Sequence, residues 1–538
     1  MKQMMHENEI DENESTVVAY IDDDDLLESF LKNILSLDDN SESEKKKSYM
    51  ILQSLLKNIL NFTVVIENNY VDRTYRDSYY MHYSCKHAQY DRFCKRLSLF
   101  SGNIFENVKD EEWSFLNLNS GNLQKSFIGT IVIRPLQEGQ VGRTLINPYF
   151  ILDKKNTYLR YAKYYVTILG IRLQVNAFPF SMQDGETTTC AEITILNMLD
   201  YFSEKYAEYK YILPSEIAHI AVENGYERNL PTRGLGYSVM TKVFSEMGFS
   251  PRLYNKGSFA EMSQFKRIMH YYVESGLPVA IGVKVENKSR HSIIGIGHGK
   301  IKYSQIQKRI YAVYNGIVDD YIWLIDTADL CNEYIVMDDG QAPYERYEWK
   351  TTEQEQRLPD KHTFGKYEPD VLMVPLYKRM FLEAQDAYAI CTSALASEYM
   401  GIRAFYKEIG TKDNPLVIRL FMASSKNFKQ KRIANFDSRN EEIRERYANL
   451  RLPKFIWVCE LYDIEGYKKN EAMGEVIVDA TASPDDDLNS ILMLHYPWNI
   501  MLCNKNRNRA EDDIFYKVHS WNRFEGYDHN LYPPEKIR

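Results

Sequence analysis

The sequence predicts an α+β protein in several packed parts, and three observations carry that expectation. Runs such as FTVVIE (62–67), FIGTIVIRPL (127–136) and PLVIRLFMA (415–423) read as strands. Runs such as LLESFLKNIL and SYMILQSLLKNIL carry the apolar spacing of helices. The chain has 538 residues, 44% hydrophobic and 26% charged, so it is globular and long enough for three or four domains at roughly 150 residues each.

Composition excludes several classes. Lys and Arg number 66 against 75 Asp and Glu, a net charge of −9, which opposes a general nucleic-acid footprint. No stretch approaches about 18 apolar residues, so no membrane span is expected. The start, MKQMMHENEIDENE, lacks the order of a secretory signal, and a cytoplasmic protein is the expectation. Seven cysteines without a CxxC pair exclude a disulfide framework and a thiolate zinc site. No phosphate-binding glycine loop, HExxH or dinucleotide fingerprint occurs, so no cofactor and no metal are expected.

Residues 1–15 read as an acidic tail. Asp22 to Asp25 mark a helix start, because carboxylates there suit the helix dipole and four adjacent ones cannot all face one ion. DDNSESEKKK (38–47) separates that helix from the next. His82, Cys85, His87 and Cys94 match no common zinc spacing and read as ordinary helical packing. Arg134 and Arg143 flank a strand and turn; a solvated turn is preferred over an anion site. YYVTILGIRLQVNAF (164–178) leads into the central region. Further on, DAYAICTSALASEYMGIRAFYKEIG (386–410) is helical, and KFIWVCELY (454–462) and GEVIVDATA (474–482) are strands. NKNRNR (504–509) is a polar loop. The division expected is 16–165, 166–380 and 381–538, each α+β.

One cysteine differs from the rest. After Cys190, Ile193, Leu196, Leu199, Phe202 and Tyr206 recur at helical steps, with Thr188 or Thr189 as N-cap. Cys190 therefore sits in a first helical turn, where free N–H groups favour a thiolate. Downstream, GLPVAIGVKVENKSRHSIIGIGHGK (276–300) reads as two strands joined by a polar turn, with His291 opening the second and His298 following it. NEYIVMDDGQAPYE (332–345) is a strand ending in Asp338 and Asp339. A cysteine at a helix start, a strand histidine and a strand-end aspartate are the parts a thiol-protease triad requires.

These residues resemble the papain-like cysteine peptidase superfamily, closest to the branch of bacteriocin-leader peptidases. The matching text is Gln183-Asp184, Cys190-Ala191, Arg290-His291 through Gly297-His298, Tyr334 to Asp338, and the Gly276 to Val279 strand start. The helix LPSEIAHIAVENG (213–225) also fits. The resemblance covers about 170–350. It implies a papain-like core, a Cys-bearing helix packed on an antiparallel sheet, with Cys190 as nucleophile, His291 as base, Asp338 as its orienter and Gln183 as an oxyanion donor. His298 and Asp339 are the rivals of His291 and Asp338. Strand alternation implies that only one of the adjacent aspartates reaches the imidazole.

The expected function is an intracellular cysteine peptidase acting on a protein or peptide and regulated by its flanks or a protein partner, such as a stress or defence effector. Neither nucleic acid nor membrane is an expected partner. The alternatives are amide or acyl-transfer chemistry on the same residues, and an inactive scaffold for protein binding.

Overall fold

A computed structural model describes residues 15–37, 46–106, 115–225, 230–285, 290–299, 301, 309–314, 321–349, 367–397, 410–436, 441–497, 499–503, 514–517 and 523–538. The protein is mixed α+β, with sheets that are almost wholly antiparallel. The acidic tail, NKNRNR and part of 386–410 lie outside the described residues.

The first part is one meander. Strands β1 (Thr16–Ile21), β2 (Phe62–Tyr70), β3 (Cys94–Ser101), β4 (Phe127–Ile133) and β5 (Val141–Ile146) pair in chain order. Helices α1 (Asp24–Ile34) and α2 (Lys47–Lys57) lie between β1 and β2 in the chain. α1 buries the stripe Leu27, Phe30, Leu31 and Ile34, whose spacing places all four on one face. Asp23 caps it, accepting from the Leu26 amide at 2.7 Å, so the acidic run is a helix start. α3 (Arg73–Met81) and α4 (Ser120–Ser126) complete this part.

The chain continues through β6 (Thr157–Leu159) and the hairpin β7 (Ala162–Ile168) and β8 (Ile171–Ala177). Three helices follow: α5 (Cys190–Lys205), α6 (Pro214–Glu223) and α7 (Tyr237–Glu246). Next come β9 (Phe249–Asn255), α8 (Met262–Glu274), β10 (Val279–Val285) and β11 (Arg290–Gly299). β12 (Tyr311–Tyr314), β13 (Tyr321–Asp326), β14 (Glu333–Met337), β15 (Glu345–Glu348) and β16 (Tyr367–Tyr377) close the region. The central sheet has the order β15-β14-β11-β10-β16-β9, with β6 also on β11, and every pairing is antiparallel.

The third part adds β17 (Leu416–Ser424), β18 (Phe455–Tyr462), β19 (Glu471–Ala472), β20 (Gly474–Asp479), β21 (Ile491–Tyr496), β22 (Asn499–Leu502) and β23 (Ile514–Lys517). All but β19 form the order β12-β13-β17-β18-β20-β21-β22-β23. The segment holding β12 and β13, assigned by the sequence to 166–380, thus extends the C-terminal sheet. β13 runs parallel to β17, and the paired Leu324 and Ile325 are buried.

One apolar cluster runs from Val17 to Ile537 through all three parts. The C-terminal residues return to the centre, where Leu159 bridges Tyr532 and Arg160 donates to the Asn530 carbonyl at 2.6 Å. Among the described residues, no helix is long and apolar enough to cross a membrane.

Candidate active site

The N-terminus of α5 is built by its preceding loop. The Asp184 Oδ1 accepts from the amides of Glu186, Thr187 and Thr188 at 2.9, 2.7 and 2.9 Å. That turn delivers Thr189 as the N-cap and Cys190 as the first helical residue. The Thr189 amide donates to Glu192 Oε2 at 3.1 Å, as in a capping box, and Thr232 holds the other Glu192 oxygen at 2.6 Å. Ala191 to Phe202 are all buried, whereas Cys190 is partly exposed. The helix is thus fixed on every side and leaves its first thiol accessible.

α5 packs on β11. Thr194 donates to Ser292 at 3.0 Å, one turn beyond Cys190 and next to His291. This bond sets the register in which the thiol of Cys190 stands beside the His291 ring and acts on its protonation. The other side of the ring, Nε2, lies 2.8 Å from Asp338 Oδ1. Asp338 is itself held: Tyr347 donates to its Oδ2 at 2.5 Å and the Gly340 amide to its Oδ1 at 2.9 Å.

Burial works to lower the His291 pKa. Hydrogen bonds with Asp338 and Cys190 and the charges of Asp338 and Asp339 outweigh it and hold the ring well above the ordinary histidine range. Burial likewise raises Asp338, but the bond and charge of His291, with Tyr347 and Gly340, bring it below the usual carboxylate value.

Both adjacent aspartates reach the imidazole, contrary to the alternation expected from the sequence. Asp339 Oδ1 is 3.3 Å from the same Nε2. β14 ends at Met337, so the two carboxylates lie beyond the strand, where alternation no longer holds. Asp339 is buried, and neither carboxylate oxygen makes a well-formed hydrogen bond. Burial and the neighbouring Asp338 charge, against the opposing pull of His291 and Lys47, push it up to about 6.

Gln183 lies on the Asp339 side. It lines a cavity of about 550 Å³ with Lys46, Lys47, Gln137, Gly139 and Asp339. A Cβ on Gly139 would stand 2.3 Å from the Gln183 carbonyl oxygen, so only glycine admits that approach. His298 is elsewhere: its Nε2 meets Glu274 at 2.7 Å and its Nδ1 the Gly299 carbonyl at 2.9 Å.

Three positioning features were misread or missed in the sequence. Arg134 is buried, not a solvated turn residue: it donates to the Met182 carbonyl at 2.8 Å and to Val141, tying the β4–β5 loop to the residue before Gln183. Arg143 pairs bidentately with Asp200 of α5 at 2.7 and 3.0 Å. Apolar patterning gives no sign of either, because each partner is remote in sequence. Tyr237 is the third: its hydroxyl rests over Gly282, where a Cβ would be 1.6 Å away. Burial, with Asp370 and Cys190 adding to it, pushes that phenol up to about 12.

Among the described residues, one group of metal-ligand types has its donor atoms mutually within 4.8 Å, namely His291, Asp338 and Asp339. Cys85 is exposed, Cys94 is buried, and His82 bonds Glu186 at 2.7 Å. No protein-family model matches the chain, and no curated protein matches it.

Proposed function

We propose that this chain is a cysteine peptidase with a papain-like core. The observation that carries the reading is the ordered contact of Cys190, at a helix N-terminus, with His291 and of His291 with Asp338. Cys190, as thiolate, attacks a peptide carbonyl and forms a thioester. His291 gives its Nδ1 proton to the departing amine, then takes one from the water that hydrolyses the thioester. Asp338 keeps the Nε2 proton in place and stabilises the imidazolium. The Cys190 amide, as the first N–H of the helix, is the oxyanion donor, while Gln183, expected as the second donor, lies on the Asp339 side of the ring.

The cavity beside Asp339 is walled by Lys46 and Lys47 of the first part and by the β4–β5 loop. This supports selection of a protein substrate by the flanking structure. A thiol-directed activity probe tests the proposal. Wild-type protein labels at Cys190, and Cys190→Ala does not. Labelling that persists in Cys190→Ala, or alkylation of other cysteines while Cys190 stays inert, rejects it.

A further inference from the structure

A cavity of about 580 Å³ lies where α8, the end of β11, β17 and the C-terminal residues meet. Ligand sites of about 300–1,000 Å³ favour such junctions between packed parts. This cavity is remote from Cys190. His298, on its wall, stands at the far end of β11 from His291, about 20 Å away at strand spacing.

The acids on the wall are already satisfied. Glu274 accepts from Arg419 at 2.8 Å and from His298 at 2.7 Å. Glu525 pairs with Lys431 at 2.9 Å, and Asp528 pairs with Lys431 and Lys536, each at 3.0 Å. His298 Nδ1 meets the Gly299 carbonyl at 2.9 Å. A carbonyl and a carboxylate only accept, so the His298 ring holds both protons and is itself a cation.

The donors are not all spent. Arg419 donates twice to Glu274, once to Glu460 and once to the Tyr527 carbonyl. A guanidinium has five N–H groups, so one on Nη2 is left over, and Arg419 lines the cavity. Thr327 lines it too. It is 2% exposed, and its Oγ1 has no hydrogen-bond partner among the described residues. A buried hydroxyl in that state is uncommon and calls for a partner. Lys155 adds a positive charge at the exposed rim. Tyr158, Tyr467, Tyr527 and Leu531 supply apolar surface beside these donors.

We propose that this cavity binds a small organic anion. Its carboxylate or phosphate group lies against Arg419, Thr327 and Lys155, and its apolar body lies against the tyrosines. Unspent acceptors would select a cation; here the acceptors are saturated and the spare groups donate, which selects an anion. The wall draws on α8, β17 and the C-terminal residues, so the bound anion stabilises the packing of the central and C-terminal parts. This site stands independently of the peptidase reading.

The test is calorimetric titration of the full chain with phenyl phosphate and with benzoate, alongside inorganic phosphate and phenol as partial ligands. One site is expected for an aromatic anion, and the tighter of the two assigns phosphate or carboxylate. Inorganic phosphate and phenol each lack half of the ligand and bind at least about ten-fold more weakly. Thr327→Val replaces the hydroxyl by a methyl of similar size. It is expected to unfold at no lower denaturant concentration than wild type, because an unpartnered hydroxyl is removed, yet to bind the anion about ten-fold more weakly. Lys155→Glu, a surface change, also weakens binding and leaves the denaturation midpoint unchanged. Failure of both aromatic anions to bind wild type overturns the proposal. Binding undiminished in Thr327→Val or in Lys155→Glu overturns the placement. Phenol or inorganic phosphate bound as tightly as phenyl phosphate overturns the organic anion as the ligand class.

Discussion

At the scale of single residues, the site depends on how one imidazole is held. Nε2 faces Asp338 at 2.8 Å, so the ring's other side is presented to Cys190. Asp338 is a positioning residue, and an amide oxygen accepts the same N–H. Asp338→Ala is therefore expected to lower kcat by about 10²-fold or more, while Asp338→Asn recovers much of that loss. Turnover of a peptide substrate by the two variants checks this. Equal losses would show that charge, not orientation, is what Asp338 supplies. Histidine placement follows the same logic. His291 and His298 share a strand, but His298 is tied to Glu274, whose other oxygen binds Arg419 at 2.8 Å, in a cluster with Cys331.

At the scale of elements, α5 and β11 must meet in one register for thiol and imidazole to touch. The helix start is set by Asp184, Thr189 and Glu192, and Glu192 also fastens the loop at Thr232. Glu192→Ala removes the capping contact and takes away the acceptor of the half-buried Thr232 hydroxyl. The expected loss is about 1–2 kcal/mol in chemical denaturation, with slower Cys190 labelling as the first turn frays. Unchanged stability would mean that burial of Ala191 to Phe202 alone fixes the helix. The sequence marks this start through its threonines and helical spacing. It does not reveal that Arg134 and Arg143 lock the loop and helix, because a side chain's bond to a carbonyl or a carboxylate elsewhere in the chain leaves no periodic trace.

At the scale of the molecule, the parts share one apolar core and a chain of buried ion pairs. Arg419 joins Glu274 of α8 to Glu460 of β18, and Arg432 joins Glu460 to Glu475. Beside them, the Tyr447 hydroxyl bridges Glu475 at 2.5 Å and His495 Nδ1 at 2.8 Å. Burial, reinforced by the Arg432 charge, lowers the His495 pKa from 6.5 to about 3. Below pH 6.5 the unfolded chain binds a proton there that the folded chain refuses, so stability falls as pH falls. The slope is about 1.4 kcal/mol per pH unit from this residue alone. Glu475 is shifted upward, mainly by burial, and acts in the opposite sense. The contribution is therefore isolated as the difference between wild type and His495→Gln in denaturant titrations at pH 7.5 and 5.5. Equal slopes for the two proteins would remove His495 from the acid response.

The sequence by itself determined the local elements. The strands around 62–67, 127–133, 416–424 and 455–462, the helix led by Cys190, and the strand opened by His291 are all readable, because periodicity and capping are properties of neighbouring residues. It also singled out Cys190, His291 and the Asp338–Asp339 pair as candidates. Only the tertiary structure decided which of them meet. It placed both aspartates on one nitrogen, since β14 stops before them, and set Gln183 beside Asp339 and the cavity. It also moved β12 and β13 into the C-terminal sheet. Those outcomes depend on pairings and ion pairs between residues far apart in the chain, whose energies are fixed by burial and distance, and no local pattern encodes either.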